Sequence, residues 1–144
     1  MSATADSSLI VSLYLPEPNS ALADAACNSM PPPIRLTDWR RVEISSAFQR
    51  AVKNGRITAA QAFLLWQDFE NDVASGRFEV VGVNHSSVLA RALVLTQKHA
   101  ATIGTRTLDV IHIATALEFS ATDFLSFDNR QRQAASAEGL MVLP

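Results

Sequence analysis

The chain has 144 residues, of which 48% are hydrophobic and 18% are charged, and its formal net charge is −2. These values are typical of one ordinary globular domain and exclude the strongly basic character of many nucleic-acid-binding proteins. The single cysteine cannot form an internal disulfide and fits a reducing compartment. With three scattered histidines it offers no zinc site, and we expect His85 and His99 at the surface. We therefore predict one cytoplasmic domain over residues 1–144, in which any phosphate-binding surface is a local patch.

Strand-like and helix-like segments alternate along the chain. The predicted strands are short apolar runs at 1–5, 34–36, 78–83, 124–127 and 141–143. The predicted helices carry apolar residues at helical spacing or stop at glycine or proline, and they cover 9–15, 19–28, 38–53, 58–75, 86–101, 108–117 and 130–138. This alternation predicts a three-layer α/β/α sandwich around a mostly parallel sheet. Right-handed crossovers would then bring the carboxyl ends of the strands to one edge.

The longest apolar run near the amino terminus, residues 9–15, is interrupted by Ser12 and has no basic residues before it. It is too short for a membrane span and lacks the basic flank of a signal peptide. We expect this run to be a helix that Pro16 terminates, and we expect no membrane partner.

The helix predicted at 108–117 is hydrophobic on nearly all sides, which indicates a buried helix. Thr107 is its predicted N-cap, and Asp109 lies in its first turn. His112 lies three residues further along, and we expect it to make a structural hydrogen bond. A short apolar strand follows, and Asp128 comes directly after it. The two aspartates are therefore expected near one edge of the sheet, where ligand sites of such folds gather.

Four acidic residues stand out on this reasoning. Asp6 and Asp128 follow predicted strands. Asp109 begins the buried helix, and Glu43 shares a helix face with apolar residues. Each acid also has a simple structural explanation. Asp6 and Asp128 could be helix N-caps, and Asp109 could be favoured by the helix dipole in the first turn. Glu43 could lie at the margin of a solvated helix face. Clustered carboxylates repel one another unless a cation intervenes, and Mg²⁺ or Mn²⁺ prefers oxygen ligands. We therefore predict a divalent-metal site from these four acids and exclude Asp123, which precedes its strand and falls at the opposite end of the sheet.

The sequence resembles PIN-domain ribonucleases, in particular the VapC toxins of bacterial toxin–antitoxin pairs. The resemblance runs nearly end to end and rests on four segments. These are ADSSLIVSLYLPEP around Asp6, TDWRRVEISSAF around Glu43, RTLDVIHIATAL around Asp109, and FLSFDNRQRQAA followed by GLMV around Asp128. The last two segments, in this order and at this separation, are the most specific.

The resemblance implies a PIN-like fold in which the four acids bind Mg²⁺ or Mn²⁺ and catalyse hydrolysis of RNA phosphodiester bonds. It implies supporting roles for the hydroxyls of Ser126 and Ser8. It further implies a homodimer, a cognate antitoxin that blocks the cleft, and a structured RNA substrate such as tRNA or rRNA.

Arginines lie beside two of the predicted site acids in the sequence. They are Arg40, Arg41 and Arg50 around Glu43, and Arg130 and Arg132 after Asp128. Because arginine suits bidentate phosphate contacts, we predict that Arg40, Arg41 and Arg130 contact RNA. Solvated helix faces are the alternative role for these residues.

Two other families with aspartates at strand ends fit poorly. A phosphoacceptor receiver domain needs a lysine at the end of a late strand, and neither Lys53 nor Lys98 is placed there. A dehalogenase-like phosphatase needs a second aspartate where Ser8 stands. The alternative that remains is a non-catalytic module with the same PIN-like fold, which binds RNA or protein without cleaving RNA. Loss of an acid would mark that class, and none of the four is missing.

Overall fold

The computed structural model describes residues 1–144 and contains a five-stranded sheet with helices on both faces. The strands are β1 (Ala3–Ala5), β2 (Ile34–Leu36), β3 (Phe78–Val80), β4 (Asp123–Leu125) and β5 (Met141–Leu143). The helices are α1 (Ser7–Tyr14), α2 (Ser20–Asn28), α3 (Asp38–Lys53), α4 (Ala59–Ala74), α5 (His85–Ile103), α6 (Thr107–Glu118) and α7 (Asn129–Ala137). None of these helices is both long enough and apolar enough to span a membrane.

The sheet has the strand order β3-β2-β1-β4-β5, and every neighbouring pair is parallel. Strand β1 is central, and Ala5 at its carboxyl end pairs in register with Leu125 at the carboxyl end of β4. The residues that follow these two strands therefore emerge side by side. Asp123 pairs with Ala3 at the amino end of β1, so it lies at the opposite edge, as predicted.

Two apolar clusters define the layers on either side of the sheet. One joins buried residues of α1–α4, and the other joins buried residues of α5–α7. Leu125 belongs to the first cluster and its neighbour Phe124 to the second. Successive residues of a strand point to opposite faces, so the two clusters lie on opposite sides of β4. The predicted three-layer arrangement is confirmed.

Local sequence signals account for several helix ends. Thr58 and Gln61 form a reciprocal capping box at the start of α4. Gly104 ends α5 in the left-handed conformation, with φ +78°, which costs glycine little because it has no Cβ. Helix α1 ends just before Pro16, whose ring cannot continue a helix.

Three predicted strands differ from expectation at their ends. Strand β1 begins at Ala3 rather than at Met1. Strand β3 ends at Val80 rather than at residue 83, because its partner β2 ends at Leu36 and α3 begins two residues later. Strand β4 ends at Leu125 rather than at residue 127. Its partner β5 ends at the same level, since Leu125 pairs with Leu143. The Ser126 backbone N–H still donates to the Leu143 carbonyl oxygen, and its hydroxyl donates to Asp6 and accepts from the Asp128 backbone N–H.

Three expectations about side chains and caps are wrong. The N-cap of α6 is Arg106 and not Thr107, because the Asp109 carboxylate accepts a hydrogen bond from the Arg106 backbone N–H. Leu108 is 55% exposed, so α6 is not buried all round. His99 is buried rather than on the surface, because its Nε2 lies 2.6 Å from a Glu138 carboxylate oxygen where α5 packs on α7.

Candidate active site

A cleft of about 870 Å³ opens at the edge of the sheet where β1 and β4 end. Residues from α1, α3, α6 and α7 line it, and so do the turns between β1 and α1 and between β4 and α7. All four predicted acids lie in its wall: Asp6, Glu43, Asp109 and Asp128. Residues far apart in the sequence thus converge on one surface, because the parallel strands deliver two of them and neighbouring helices deliver the others.

Asp6 is almost fully buried at the start of α1. Its Oδ1 accepts hydrogen bonds from the Leu9 backbone N–H at 2.8 Å and from the Ser8 hydroxyl at 2.9 Å. Its Oδ2 accepts from the Ser126 hydroxyl at 2.6 Å. Asp6 is therefore an N-cap and a cleft residue at the same time, and the two predicted supporting hydroxyls both contact it.

Asp109 is 6% exposed and is held from two directions. Its Oδ2 accepts from the Arg106 backbone N–H at 2.8 Å, and its Oδ1 accepts from Gln131 Nε2 at 3.2 Å. The first contact belongs to α6 itself, whereas the second comes from α7. The position of this carboxylate therefore depends on the packing of two helices.

Asp128 caps α7, since its Oδ1 accepts from the backbone N–H groups of Arg130 and Gln131 at 2.9 and 3.1 Å. Its own backbone N–H donates to the Ser126 hydroxyl oxygen at 3.0 Å. Ser126, which is fully buried, thus links Asp128 to Asp6. A single hydroxyl therefore bridges the two aspartates that follow β1 and β4.

Glu43 reaches the cleft from the middle of α3. Its Oε2 accepts a hydrogen bond from the Ser7 hydroxyl, and its Oε1 lies 3.4 Å from His112 Nε2. Partial burial acts to raise the pKa of this carboxyl, but the contacts from His112 and Ser7 and the positive charge of Arg40 outweigh it. The pKa of Glu43 therefore lies below its ordinary value, and the group is a stable anion in the cleft.

The arginines divide differently from the prediction. Arg40 is fully buried, so its predicted contact with RNA is wrong. Arg41 pairs with Glu70 at 2.5 Å and lies over the Trp66 ring, and it is absent from the cleft lining. Arg130 does line the cleft. Its Nε lies 3.7 Å from an Asp109 oxygen and its Nη2 lies 3.5 Å from an Asp128 oxygen. Three further arginines also line the cleft: Arg50, Arg56 and Arg106.

The donor set suits a hard divalent cation, because the four predicted carboxylates and that of Glu17 line one cleft and no cysteine competes. The side chains do not yet form a cage, since no group of three or more acidic, histidine or cysteine side chains is close enough together to enclose a metal ion. The Arg130 guanidinium provides positive charge between Asp109 and Asp128. The residue types therefore suit a divalent metal, whereas the spacing of the side chains in this structure does not enclose one.

Two side chains that hydrogen-bond the site acids were not predicted from the sequence. Ser7 follows Asp6 directly, and nothing in the sequence indicates its contact with Glu43, which is 36 residues away. Gln131 donates to Asp109, and its Oε1 is buried without a partner. Aspartate followed by glutamine three residues later matches the spacing of a helix capping box, so the sequence indicates that Gln131 lies in the first turn of α7. Its contact with Asp109 depends on the packing of α6 against α7.

Sequence comparison finds neither a matching family model nor a matching curated protein. Solved structures match over nearly the whole chain. VapC20 from Mycobacterium tuberculosis, described as a Sarcin-Ricin loop cleaving toxin, aligns with TM-score 0.71 and 16% identity over 99% of this chain and 100% of its own. This chain has the VapC20 fold. FitAcB from Neisseria gonorrhoeae aligns with TM-score 0.73 and 18% identity over 99% of this chain and 96% of its own. A toxin–antitoxin complex from Klebsiella pneumoniae aligns with TM-score 0.69 and 15% identity over 99% of this chain and 97% of its own.

The resemblance to VapC toxins seen in four sequence segments is thus confirmed at the level of the fold. Identities of 15–18% establish a shared architecture. A fold can carry many activities, so the activity has to be argued from the cleft.

Proposed function

We propose that the protein is a metal-dependent endoribonuclease that acts as the toxin of a toxin–antitoxin pair. The observation that carries this proposal is the meeting of Asp6, Glu43, Asp109 and Asp128 in one cleft at the carboxyl ends of β1 and β4. The fold is shared with a toxin that is described as cleaving the Sarcin-Ricin loop. Such a concentration of carboxylates in a cleft costs stability and is therefore better explained by a ligand than by packing.

The four acids would hold Mg²⁺ or Mn²⁺, which when bound supplies charge stabilisation at a phosphodiester and an activated water. The chain's own residues prepare the site. Ser8 and Ser126 fix the Asp6 carboxylate, and Ser126 also sets the position of Asp128. Gln131 fixes Asp109. Oδ1 of Asp6 and Oδ1 of Asp128 already accept two hydrogen bonds each. Oδ2 of these residues and both oxygens of Asp109 accept at most one, so lone pairs remain there for a cation.

The RNA backbone would run along arginines at the mouth of the cleft. Arg50, Arg56 and Arg106 are exposed and line it, whereas Arg130 lies deeper beside the acids. We expect Arg106→Glu to weaken RNA binding and to reduce its salt dependence, because each phosphate contact contributes about one unit to the slope of log affinity against log salt. Arg91→Glu is the matched control, since Arg91 pairs with Glu118 and does not line the cleft. Equal RNA affinity of the two variants would show that Arg106 does not contact the RNA backbone.

The proposed partners follow from the same toxin role. A cognate antitoxin would cover the acidic cleft, and one of the similar structures is a toxin–antitoxin complex. A homodimer, a cytoplasmic location and a structured substrate such as tRNA or rRNA belong to this proposal as well.

One observation favours the second candidate, a non-catalytic PIN-like module. Arg130 already supplies positive charge to Asp109 and Asp128, so the cleft can be partly neutral without a metal. In that case the arginine would be a permanent counter-ion, and metal would have no effect on RNA.

Incubation of the purified protein with tRNA and rRNA fragments, in Mg²⁺, Mn²⁺ or EDTA, separates the two candidates. The nuclease cuts with metal and stops in EDTA, and Asp128→Asn abolishes the cut. A non-catalytic module binds RNA equally in all three conditions and leaves it intact. Cleavage that persists in EDTA and in the Asp128→Asn protein would point to a contaminating nuclease and overturn the assignment.

A further inference from the structure

Arg40 is a fully buried cation beneath the cleft and takes part in none of the ion pairs of the fold. It projects from α3 three residues before Glu43. Its Nη1 donates to the Thr4 hydroxyl and to the Ala5 carbonyl oxygen of β1, while its Nη2 has no partner. Burial lowers the pKa of the guanidinium to about 10, although the charges of Asp6 and Glu43 act in the opposite direction. A buried charge without a direct counter-ion is costly, so its retention calls for a role.

The remaining contact of Arg40 identifies that role. Its Nε donates to Nδ1 of His112 at 3.3 Å, and His112 is itself 3% exposed. A guanidinium has only donors, so Nδ1 must present a lone pair. The ring proton then resides on Nε2, the nitrogen that lies 3.4 Å from Oε1 of Glu43. The geometry of Arg40 therefore selects one of the two neutral tautomers of the histidine.

We propose that Arg40 is a positioning residue for Glu43 that acts through His112, by holding the ring in the tautomer with its proton on Nε2. The Nε2–H then faces Oε1, and the Ser7 hydroxyl donates to Oε2. Both oxygens of the carboxylate are in this way oriented by fixed donors. The inference deepens the proposed function, on which it rests in taking Glu43 to be a metal ligand. Loss of such an outer partner typically weakens metal binding by roughly 10–100-fold.

A purely structural role for Arg40 makes a different prediction. The bonds to Thr4 and Ala5 tie α3 to the central strand, so their loss lowers stability whatever the histidine does. A structural role leaves the tautomer of His112 and the affinity for metal unchanged in any variant that still folds. The state of the ring and the metal affinity therefore separate the two roles.

The first measurement needs no substitution. Long-range ¹H–¹⁵N spectra of the metal-free, full-length protein report the protonation of each histidine nitrogen. We expect Nδ1 of His112 to be unprotonated and Nε2 to carry the proton. A ring with its proton on Nδ1, or with both nitrogens protonated, overturns the proposal.

The second measurement compares Arg40→Met with Arg35→Met as the matched control, since Arg35 donates to the Phe119 carbonyl and pairs with Glu79 outside the cleft. In Arg40→Met we expect a mixture of His112 tautomers and roughly tenfold or weaker Mn²⁺ binding by calorimetry. We also expect a lower kcat for RNA with little change in KM. The control should match the unsubstituted protein. A folded Arg40→Met protein with unchanged Mn²⁺ affinity overturns the proposal.

If the tautomer is as expected but the unsubstituted protein neither binds Mn²⁺ nor cuts RNA, the proposed function fails while the link from Arg40 to His112 is supported.

Discussion

Asp109 combines a local helical role with a place in the cleft, and one substitution separates them. Asp109→Asn keeps the size of the side chain but removes the charge and one acceptor oxygen. If Asp109 only favours the first turn of α6, the change should cost about 0.3–1 kcal/mol of stability and leave activity intact. If it is a metal ligand, the loss of one charge relieves repulsion among the acids. The metal-free protein should then keep its stability, while Mn²⁺ binding and RNA cleavage are lost together.

Calorimetry with Mn²⁺, a cleavage assay and thermal unfolding measure these three quantities. Asp123→Asn is the control, because Asp123 is equally buried but lies at the amino end of β4. We expect that control to keep metal binding. A folded Asp109→Asn protein that cuts RNA at the original rate would contradict the proposed mechanism.

The four acids could be predicted at the scale of single residues, but the contacts that orient them could not. Strand ends and first helical turns are visible in the sequence, so Asp6, Asp109 and Asp128 follow from simple rules. The burial of Arg40 was not predicted, although its spacing in the helix indicates it. Arg40 lies four residues before Ile44 and eight before Phe48, on the same buried face of α3. Because arginine is rarely buried, its charge argued against placing it on that face.

The helix caps link the site to secondary structure at the scale of elements. Asp128 accepts two backbone hydrogen bonds at the start of α7 and also lines the cleft. Asparagine and aspartate cap helices about equally well, whereas alanine loses about 0.5–2 kcal/mol. We expect Asp128→Asn and Asp128→Ala to lose RNA cleavage alike. Only the alanine variant should show the lower free energy of unfolding in urea. A residue that serves only as a cap would instead leave the asparagine variant active.

The contact between α5 and the end of α7 should depend on pH. Glu138 lies 2.6 Å from Lys98 Nζ and from His99 Nε2. Partial desolvation acts to raise the pKa of Glu138, but the hydrogen bonds and the charge of these partners lower it below its ordinary value. A carboxyl with a depressed pKa in the folded state stabilises the protein above its unfolded pKa, and this contribution is lost as pH falls through the folded value.

We therefore expect the unfolding midpoint of the unsubstituted protein to exceed that of Glu138→Gln at neutral pH. The gap should narrow steadily as the pH is lowered below the ordinary pKa of glutamate, about 4.3. Exposed Glu79, which pairs with Arg35, provides the control in Glu79→Gln, whose midpoint should track the unsubstituted protein. A gap that stays constant at all pH values would show that Glu138 acts through packing and not through its charge.

At the scale of the whole molecule, the alternation of strands and helices was sufficient to predict the layers and the shared edge. It was not sufficient to show whether the acids form a closed cage. That depends on the rotamers of side chains from four elements and on Arg130, whose guanidinium lies within 4.0 Å of two of the carboxylates. Contacts between residues as far apart as Ser7 and Glu43 depend on how whole helices pack, which local patterns do not encode.

The four carboxylates and the single guanidinium of Arg130 beside two of them predict how the folded protein responds to metal. A cation that binds only the folded state stabilises it by about 2.7 kcal/mol when its concentration is 100 times its dissociation constant. For a chain of this length, each kcal/mol raises the unfolding midpoint by roughly 4 °C. We expect millimolar Mn²⁺ to raise the midpoint by several degrees, EDTA to reverse the shift, and Asp109→Asn to show little or none. An unchanged midpoint in millimolar Mn²⁺ would count against a metal site and favour the module in which Arg130 is the permanent counter-ion. Because the shift is measured without RNA, it tests the site even if the natural substrate is absent from the assay.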